Sequence, residues 1–206
     1  MIAKKGAFAR GLGAAMGLAT AGLLLAGGGA AASSLKAGGL TSQPIGHYEF
    51  CKSYPRECAI RPRDEGPERF TSKLWRDLVA VNATVNAAVK PLNDIDIFGK
   101  EEVWAYPDGV GDCEDYVLEK RRQLERRGVS LSNLLITVVR KPDGEGHAVL
   151  TVRTERGDFI LDNLTGTVKL WDRTGYRYLK RQASDHTGRW VSLRRDSNPL
   201  VGAVRP

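Results

Sequence analysis

The chain is poor in the side chains that bind soft metals and transfer protons, with three cysteines and three histidines among its 206 residues. Zinc-ligand spacing is missing from these six residues. The sequence also lacks the aromatic and basic motif of RNA-binding domains, although basic residues outnumber acidic ones by 31 to 24. The basic clusters at 120–122 and 126–127 have the spacing of the outer face of a helix. The sequence therefore argues against nucleic acid as a partner.

Acidic residues are missing from the first 32 positions, where three basic residues precede an apolar stretch at 11–28. Ala30, Ala31 and Ala32 then offer a small-residue cleavage site. Residues 1–32 are therefore predicted to be a secretory signal peptide that directs the chain to the periplasm. A retained membrane anchor is the alternative, which six glycines between positions 11 and 28 disfavour. After cleavage, 28 basic and 24 acidic residues remain, a net charge of +4.

The three cysteines cannot all pair within one chain. Cys51 and Cys58 are the predicted disulfide, because Pro55 between them can turn the chain; two reduced cysteines are the alternative. No cysteine precedes Cys51, so a lipid-anchored form is not indicated. Cys113 is then left as a free thiol in an oxidising compartment. The alternative interpretation of Cys113 is a buried structural cysteine, but its neighbours in the sequence are charged.

Residues typical of a thiol acyl-transfer site follow one another along the chain. Cys113 stands in the run Gly-Asp-Cys-Glu-Asp-Tyr at the start of a predicted helix, and His147 and Asp162 lie on two predicted strands. A thiol needs an imidazole to take its proton, and the imidazole needs a carboxylate or amide to fix its orientation. The N-terminus of a helix also lowers the pKa of a cysteine. We predict Cys113 as nucleophile, His147 as base and Asp162 as the orienting carboxylate.

Hydrophobic periodicity predicts one α+β domain over residues 48–194, between a flexible segment at 33–47 and a loose tail at 195–206. One helix starts at Thr71 and ends before Pro91, and a second runs from Cys113 to about Arg127. Strand-like runs follow at 134–139, 147–154, 159–164, 167–171, 176–179 and 189–193. Asn82 and Asn86, one turn apart on the first helix, are predicted to hydrogen-bond a neighbouring loop.

The hairpin that joins His147 to Asp162 can have two registers. A turn centred on Arg156 and Gly157 sets Asp162 opposite Thr151, on the face of His147 but about 13 Å away along the strand. A turn at Thr154 and Glu155 sets His147 and Asp162 directly opposite each other. The sequence leaves the choice open, because a bulge near Gly157 would also bring the two residues together.

Taken together, these motifs resemble the bacterial transglutaminase-like cysteine peptidase family, whose LapG-type members are periplasmic proteases. The resemblance spans residues 48–193. Besides Cys113, His147 and Asp162 it includes Phe50-Cys51, Glu57-Cys58, Val81-Asn82, Val85-Asn86, Trp104, Trp171 and Trp190. It implies a papain-like or transglutaminase-like fold, in which the Cys113 helix packs its N-terminus against a sheet that carries His147 and Asp162. The backbone N–H of Cys113 is then an oxyanion donor, and Trp104 is a weak candidate for a second.

The resemblance also implies a cofactor and partners. In LapG-type members, acidic residues flanking the nucleophile bind a calcium ion that activity requires, and the matching positions are Asp112 and Glu114. Asp115, Asp108 and carbonyl groups near Gly109 are candidates to complete the ligand set. Stabilisation of the helix dipole by the first-turn carboxylates is the alternative that involves no metal. The same members cut large surface adhesins and are regulated by an inner-membrane receptor.

Two other functions stay open at this point. A transglutaminase-type acyl transferase would carry the same three residues, and only an amine acceptor that outcompetes water distinguishes it from a protease. A non-enzymatic periplasmic module that binds calcium or an envelope partner would not need a histidine at this position. His47 and His186 fall in predicted flexible or turn segments, whereas His147 begins a strand where the chemistry requires it.

Overall fold

The computed structural model describes residues 1–2 and 33–194 of the chain. The predicted tail, and the predicted signal peptide apart from its first two residues, lie outside the described residues. The elements below all belong to one compact unit. In the described part of the chain, every helix is too short or too polar to cross a membrane.

Helices precede most of the strands, as the sequence predicts. The helices are α1 (Ile45–Ser53), α2 (Pro55–Cys58), α3 (Ser72–Ala88), α4 (Asp94–Phe98) and α5 (Cys113–Arg126). The strands are β1 (Lys36–Thr41), β2 (Lys90–Pro91), β3 (Val110–Gly111), β4 (Leu134–Arg140), β5 (Gly146–Thr154), β6 (Gly157–Leu161), β7 (Lys169–Leu170), β8 (Arg177–Ala183) and β9 (His186–Arg194). Single turns of 3-10 helix occupy Leu131–Asn133 and Trp171–Arg173.

Seven of the strands form one antiparallel sheet in the order β1-β9-β8-β4-β5-β6-β7. β2 and β3 pair separately, in parallel. This pair sets the segment before α4 beside the segment that leads into α5. Helices packed on an antiparallel sheet confirm the α+β class and the papain-like architecture predicted from the sequence.

The core lies between the sheet and the pair α3 and α5. α3 is capped by Thr71, whose hydroxyl accepts a hydrogen bond from the backbone N–H of Leu74. Because side chains alternate along a strand, β5 turns Ala148, Leu150 and Val152 toward the helices. The apolar side chains of this layer include Leu78, Val81, Val85, Val117, Leu124, Leu150 and Val152. The burial of this layer fixes α5 against β5, and thus the start of α5 against the start of β5.

Residues 33–47 differ from the expectation of a flexible segment. They contain β1, which pairs with β9 at the edge of the sheet, and the first turn of α1. Leu35 is buried with Val139, Val149, Ile160 and Tyr178 on the face of the sheet opposite α5. An edge strand is held by backbone hydrogen bonds, which glycine and other small residues can make, so composition did not reveal it.

Cys51 and Cys58 form a disulfide that joins α1 to α2, the pairing that the sequence favoured. His47, expected in a flexible segment, is 1 % exposed and packs against Phe50, Trp104 and Trp190. Burial, followed by the charge of Arg121, lowers the pKa of His47 to about 3, so this imidazole is neutral. His47 is therefore part of the core.

Candidate active site

Cys113 is the first residue of α5, where the backbone N–H groups of the helix point out of its end. The half-buried Sγ accepts a hydrogen bond from the backbone N–H of Ala148, at 3.3 Å. The thiol in turn donates to Oε2 of Glu114, at 3.1 Å. The bond to Ala148 places the sulfur beside the residue that follows His147 in the sequence.

The β5–β6 hairpin brings His147 and Asp162 together in a register that lies between the two considered. Thr154 pairs with Gly157, so the turn is Glu155-Arg156, and Leu150 pairs with Leu161. Asp162 directly follows β6 and is therefore offset from His147 by two positions along the ladder, a separation that long side chains can span. His147 Nε2 and Asp162 Oδ1 are 2.9 Å apart, and both side chains are buried.

Asp162 is ionised in this setting. Burial opposes its charge, but hydrogen bonds from His147, from the hydroxyl of Tyr176 and from the backbone N–H of Leu164 outweigh burial and lower its pKa. An ionised carboxylate only accepts hydrogen bonds, so Nε2 of His147 carries the proton. Nδ1 of His147 is then the basic nitrogen.

Two asparagines of α3 hold the chain at Asp162, as the sequence predicted of polar residues beside an apolar stripe. Oδ1 of Asn82 accepts a hydrogen bond from the backbone N–H of Asp162, and its amide donates to the carbonyl of Thr165. The amide of Asn86 donates to the carbonyl of Asp162 at 2.9 Å. Helix α3 thereby fixes the backbone that carries the orienting carboxylate.

The thiol lies where two surface cavities meet. One of about 450 Å³ has Leu92, Asn163 and Leu164 on its walls. The other, of about 520 Å³, is walled by Pro44, Ile45 and Val138 among others. Cys113, Glu114, Gly146 and His147 line both. An extended chain that crosses both cavities would pass the sulfur.

Carboxylates cluster beside the thiol. Asp112, Cys113 and Glu114 form one group, and Asp94, Asp112 and Asp115 form another; within each, the potential ligand atoms lie within 4.8 Å of one another. Asp94, which opens α4, was not predicted from the sequence. It is 3 % exposed, although charged residues of a loop are usually solvated. Asp108, predicted as a possible ligand, is exposed and belongs to neither group among the described residues.

The carboxylates raise one another's pKa values. Burial, followed by the charge of Asp112, raises the pKa of Glu114 to about 9. Burial also raises the pKa of Asp115 to about 7, against the hydrogen bond that it accepts from the backbone N–H of Ala105. Burial raises the pKa of Asp112 as well. Oδ1 of Asp94 and Oδ1 of Asp112 are both buried without a hydrogen-bond partner among the described residues. The cluster therefore contains two buried acidic oxygens that could accept a positively charged ligand.

The thiol differs from the expectation that the helix N-terminus lowers its pKa. Burial, followed by the charge of Glu114 and the hydrogen bond to it, raises the pKa of Cys113 well above its ordinary value. A helix dipole contributes about 0.3 to 1 kcal/mol at such a position. When Glu114 is ionised, its full negative charge about 4 Å away is worth about 4 kcal/mol at an effective dielectric constant of 20. Burial and the neighbouring carboxyl groups together therefore outweigh the dipole.

Trp104, the weak candidate for an oxyanion donor, lies in the wall of the site. Its indole Nε1 is buried and has no hydrogen-bond partner among the described residues. The ring packs over Gly46, where a Cβ atom would come within 2.5 Å of Nε1. Trp104 also lines the cavity of about 520 Å³, so in this structure it packs as part of the cleft wall.

Comparison with known proteins agrees with this geometry. A family model of bacterial transglutaminase-like cysteine proteinases matches residues 37–198. The fold is similar to that of calcium-bound LapG from Legionella pneumophila, at 26% identity over 62% of this chain and 75% of that one, with a TM-score of 0.50. A second structure of Legionella pneumophila LapG gives 26% identity over 57% and 67% of the two chains, with a TM-score of 0.49. The sequence matches none of the curated proteins with which it was compared.

The family match covers most of the chain, including Cys113, His147 and Asp162. The helix and sheet that carry these residues are the elements predicted from the resemblance. The chain belongs to the bacterial transglutaminase-like cysteine proteinases, a family of cysteine proteases.

Proposed function

We propose that the chain is an exported, calcium-dependent thiol endopeptidase that cuts a protein of the cell envelope, in the manner of LapG. The observation that carries the proposal is the pairing of His147 with Asp162 in the cleft that also contains Cys113. The hydrogen bond from Nε2 of His147 to Asp162 leaves Nδ1 of the same imidazole free to act as a base. The signal peptide predicted at residues 1–32 supports a periplasmic location.

In the proposed reaction, Nδ1 of His147 takes the proton of the Cys113 thiol as Sγ attacks the peptide carbonyl carbon. The backbone N–H of Cys113 stabilises the oxyanion from the start of α5, a contribution of about 2.7 to 4 kcal/mol for one such donor. The imidazolium returns the proton to the leaving amine as the C–N bond breaks. Water then hydrolyses the thioester, and Asp162 keeps the imidazole oriented throughout.

The acidic cluster fits a calcium ion. Two oxygens that bind one calcium at about 2.4 Å are at most about 4.8 Å apart, and the carboxylate oxygens offered within each group lie within 4.8 Å of one another. Asp94 and Asp112 each contribute a buried oxygen without a partner among the described residues. Asp112, Glu114 and Asp115, with Asp94, are the residues that would hold the ion. Bound calcium would supply positive charge beside the thiol, where burial and the carboxylates otherwise favour its neutral form.

A polypeptide substrate is supported by the shape of the cleft. Cavities on both sides of Cys113 allow a chain to continue past the scissile bond in either direction, as an endopeptidase requires. Exposed apolar side chains on both walls, Leu92 and Leu164 on one and Ile45 on the other, can contact such a chain. A surface adhesin is the proposed substrate, and an inner-membrane receptor is the proposed regulator, by similarity to LapG-type proteases.

The first test measures how fast iodoacetamide alkylates Cys113 between pH 5 and 9, with calcium or with a chelator. Without reductant the label is specific, because the other two cysteines form a disulfide. We expect His147→Ala to slow alkylation near neutral pH by about 100-fold, the lower range for loss of a general base. His186→Ala is the matched control, since His186 lies in the β8–β9 hairpin and bonds the backbone of Gly188. Equal rates in the wild type and in His147→Ala would refute the pairing.

The second test compares cleavage of isolated envelope proteins by the wild type and by Cys113→Ala. Fragments that appear only with the wild type identify substrates, and the new termini give the cut site. A labelled primary amine in the same reaction distinguishes hydrolysis from acyl transfer. Equal cleavage by Cys113→Ala would exclude a thiol mechanism.

A further inference from the structure

Tyr176 contacts both members of the pair that activates the thiol. Its hydroxyl donates to Oδ2 of Asp162 at 2.6 Å, while His147 Nε2 bonds Oδ1 of the same carboxylate. Its ring meets the imidazole edge to face, with centroids 5.7 Å apart and planes at 68°. One side chain therefore occupies the second oxygen of Asp162 and covers a flank of His147.

A turn built around Thr174 sets the position of Tyr176. The hydroxyl of Thr174 donates to the carbonyl of Trp171 and accepts a weak hydrogen bond from the backbone N–H of Tyr176. Gly175 has φ of +77°, a conformation that glycine adopts at little cost. The hydroxyl of Tyr178, two residues farther along, bonds Trp171 and Thr174 and so supports the same turn without touching Asp162. The chain thus offers a supporting tyrosine and a contacting tyrosine in one segment.

We propose that Tyr176 is a positioning residue of the protease, which fixes the rotation of the Asp162 carboxylate and shields its hydrogen bond with His147 from water. With both oxygens of Asp162 engaged, the carboxylate has one orientation, in which Oδ1 faces Nε2. The inference rests on the proposed function, because it assigns Tyr176 a role in activating Cys113 through His147.

Charged side chains also lie near Asp162, and the hydroxyl of Tyr176 acts on the carboxylate beside them through a hydrogen bond. Lys120 of α5 is fully buried and interacts with Asp162 through its charge, and Lys169 of β7 lines a small cavity beside Asp162. Tyr176 is among the groups that donate a hydrogen bond to the carboxylate, and its bond helps keep the pKa of Asp162 low despite burial. Burial and the carboxylate raise the pKa of Tyr176, so its hydroxyl stays protonated and remains a donor.

The experiment compares Tyr176→Phe with Tyr178→Phe in the full mature chain at saturating calcium, with iodoacetamide alkylation of Cys113 measured from pH 5 to 9. Tyr176→Phe keeps the ring and removes only the donor. We expect its rate near pH 6 to fall about tenfold, the smallest loss for a hydrogen bond to an ionised group. The acidic limb should move to higher pH, because Asp162 then takes up a proton more readily. Tyr178→Phe should keep the wild-type profile even if its melting temperature falls.

A double mutant tests whether Tyr176 acts through Asp162. In an Asp162→Asn background, Tyr176→Phe should have no further effect on the alkylation rate. Tyr176→Leu removes the ring as well and should slow alkylation beyond Tyr176→Phe. If Tyr176→Phe matches the wild type, the positioning role is refuted. If His147→Ala already alkylates as fast as the wild type, the proposed function itself fails, so the two failures are distinguishable.

Discussion

Asp94→Asn is predicted to separate the two effects of the acidic cluster, one on the metal-free protein and one on the calcium-bound protein. Asp94 is buried; Oδ2 accepts a hydrogen bond from the backbone N–H of Val103, and Oδ1 has no partner among the described residues. Asparagine has nearly the same shape, keeps an acceptor for Val103 and carries no charge. Without calcium, we therefore expect the free energy of unfolding to stay the same or to rise by about 1 kcal/mol as repulsion is relieved.

With calcium, Asp94→Asn is instead expected to lower the free energy of unfolding relative to the wild type. An ion at 100 times its dissociation constant stabilises the wild type by about 2.7 kcal/mol. For a domain of this size, that raises the melting temperature by about 5 to 10 °C. Loss of one carboxylate ligand that weakens binding tenfold leaves about 1.4 kcal/mol at the same calcium concentration. The shift on adding calcium should thus be about half as large in Asp94→Asn as in the wild type.

The assay is thermal unfolding of the mature protein in chelator and in calcium, with Asp96→Asn as the matched control. Asp96 lies in the first turn of the same short helix but is exposed and outside the cluster. Asp96→Asn should keep the full calcium shift. An unchanged melting temperature of the wild type in calcium would refute the metal site. Equal shifts in the two variants would show that Asp94 is not a ligand.

Three further predictions concern buried polar groups. Lys120→Met should raise the free energy of unfolding by about 1 to 3 kcal/mol near pH 7, because the ammonium is fully buried without a hydrogen-bond partner among the described residues. Burial lowers the pKa of Lys120 to about 7. Between pH 7 and 10 the lysine is therefore protonated in the unfolded chain but not in the folded one, so the free energy of unfolding of the wild type should rise with pH. Chemical denaturation should show a weaker pH dependence for Lys120→Met. Asn82→Ala should cost about 2 kcal/mol in the same assay and slow Cys113 alkylation, because the N–H of Asp162 loses its partner. Calcium affinity measured by calorimetry should rise from pH 6 to 9, since Glu114 and Asp115, with pKa values of about 9 and 7, must lose protons to bind; a pH-independent affinity would contradict this.

The sequence predicted the elements whose signal is local. The caps and apolar periods placed α3 and α5, and the charged run around Cys113 placed the thiol at the start of a helix. Asn82 and Asn86 could be predicted to bind a loop because a polar group beside an apolar stripe needs a partner. The loop itself, around Asp162, is 80 residues away from Asn82 and could not be identified from either segment.

The contacts that complete the site depend on tertiary structure, which local patterns do not encode. The register of the β5–β6 hairpin depends on which two residues between Thr154 and Gly157 form the turn, and the sequence around Gly157 is compatible with more than one choice. Asp94 and Tyr176 lie 18 residues before Asp112 and 14 after Asp162, and nothing in their own segments marks them. Asp94 reaches the cluster because β2 pairs with β3, a strand pair only two residues long. Such short pairs carry no periodic signal.

The residues that flank Cys113 explain why the proposed enzyme would require a cation. A helix N-terminus by itself favours a thiolate, and a thiol activated in this way would react whenever the chain was folded. Glu114 accepts a hydrogen bond from the thiol and Asp112 adds a second carboxyl group, so burial and these acidic groups together favour the neutral thiol by more than the dipole opposes it. A divalent cation held by the same carboxylates would offset their effect, because it would neutralise their charge and engage Glu114 elsewhere. The pattern Asp-Cys-Glu-Asp would thus place the proposed metal ligands beside the nucleophile, so that binding of the ion and formation of the thiolate would be coupled through the same oxygens.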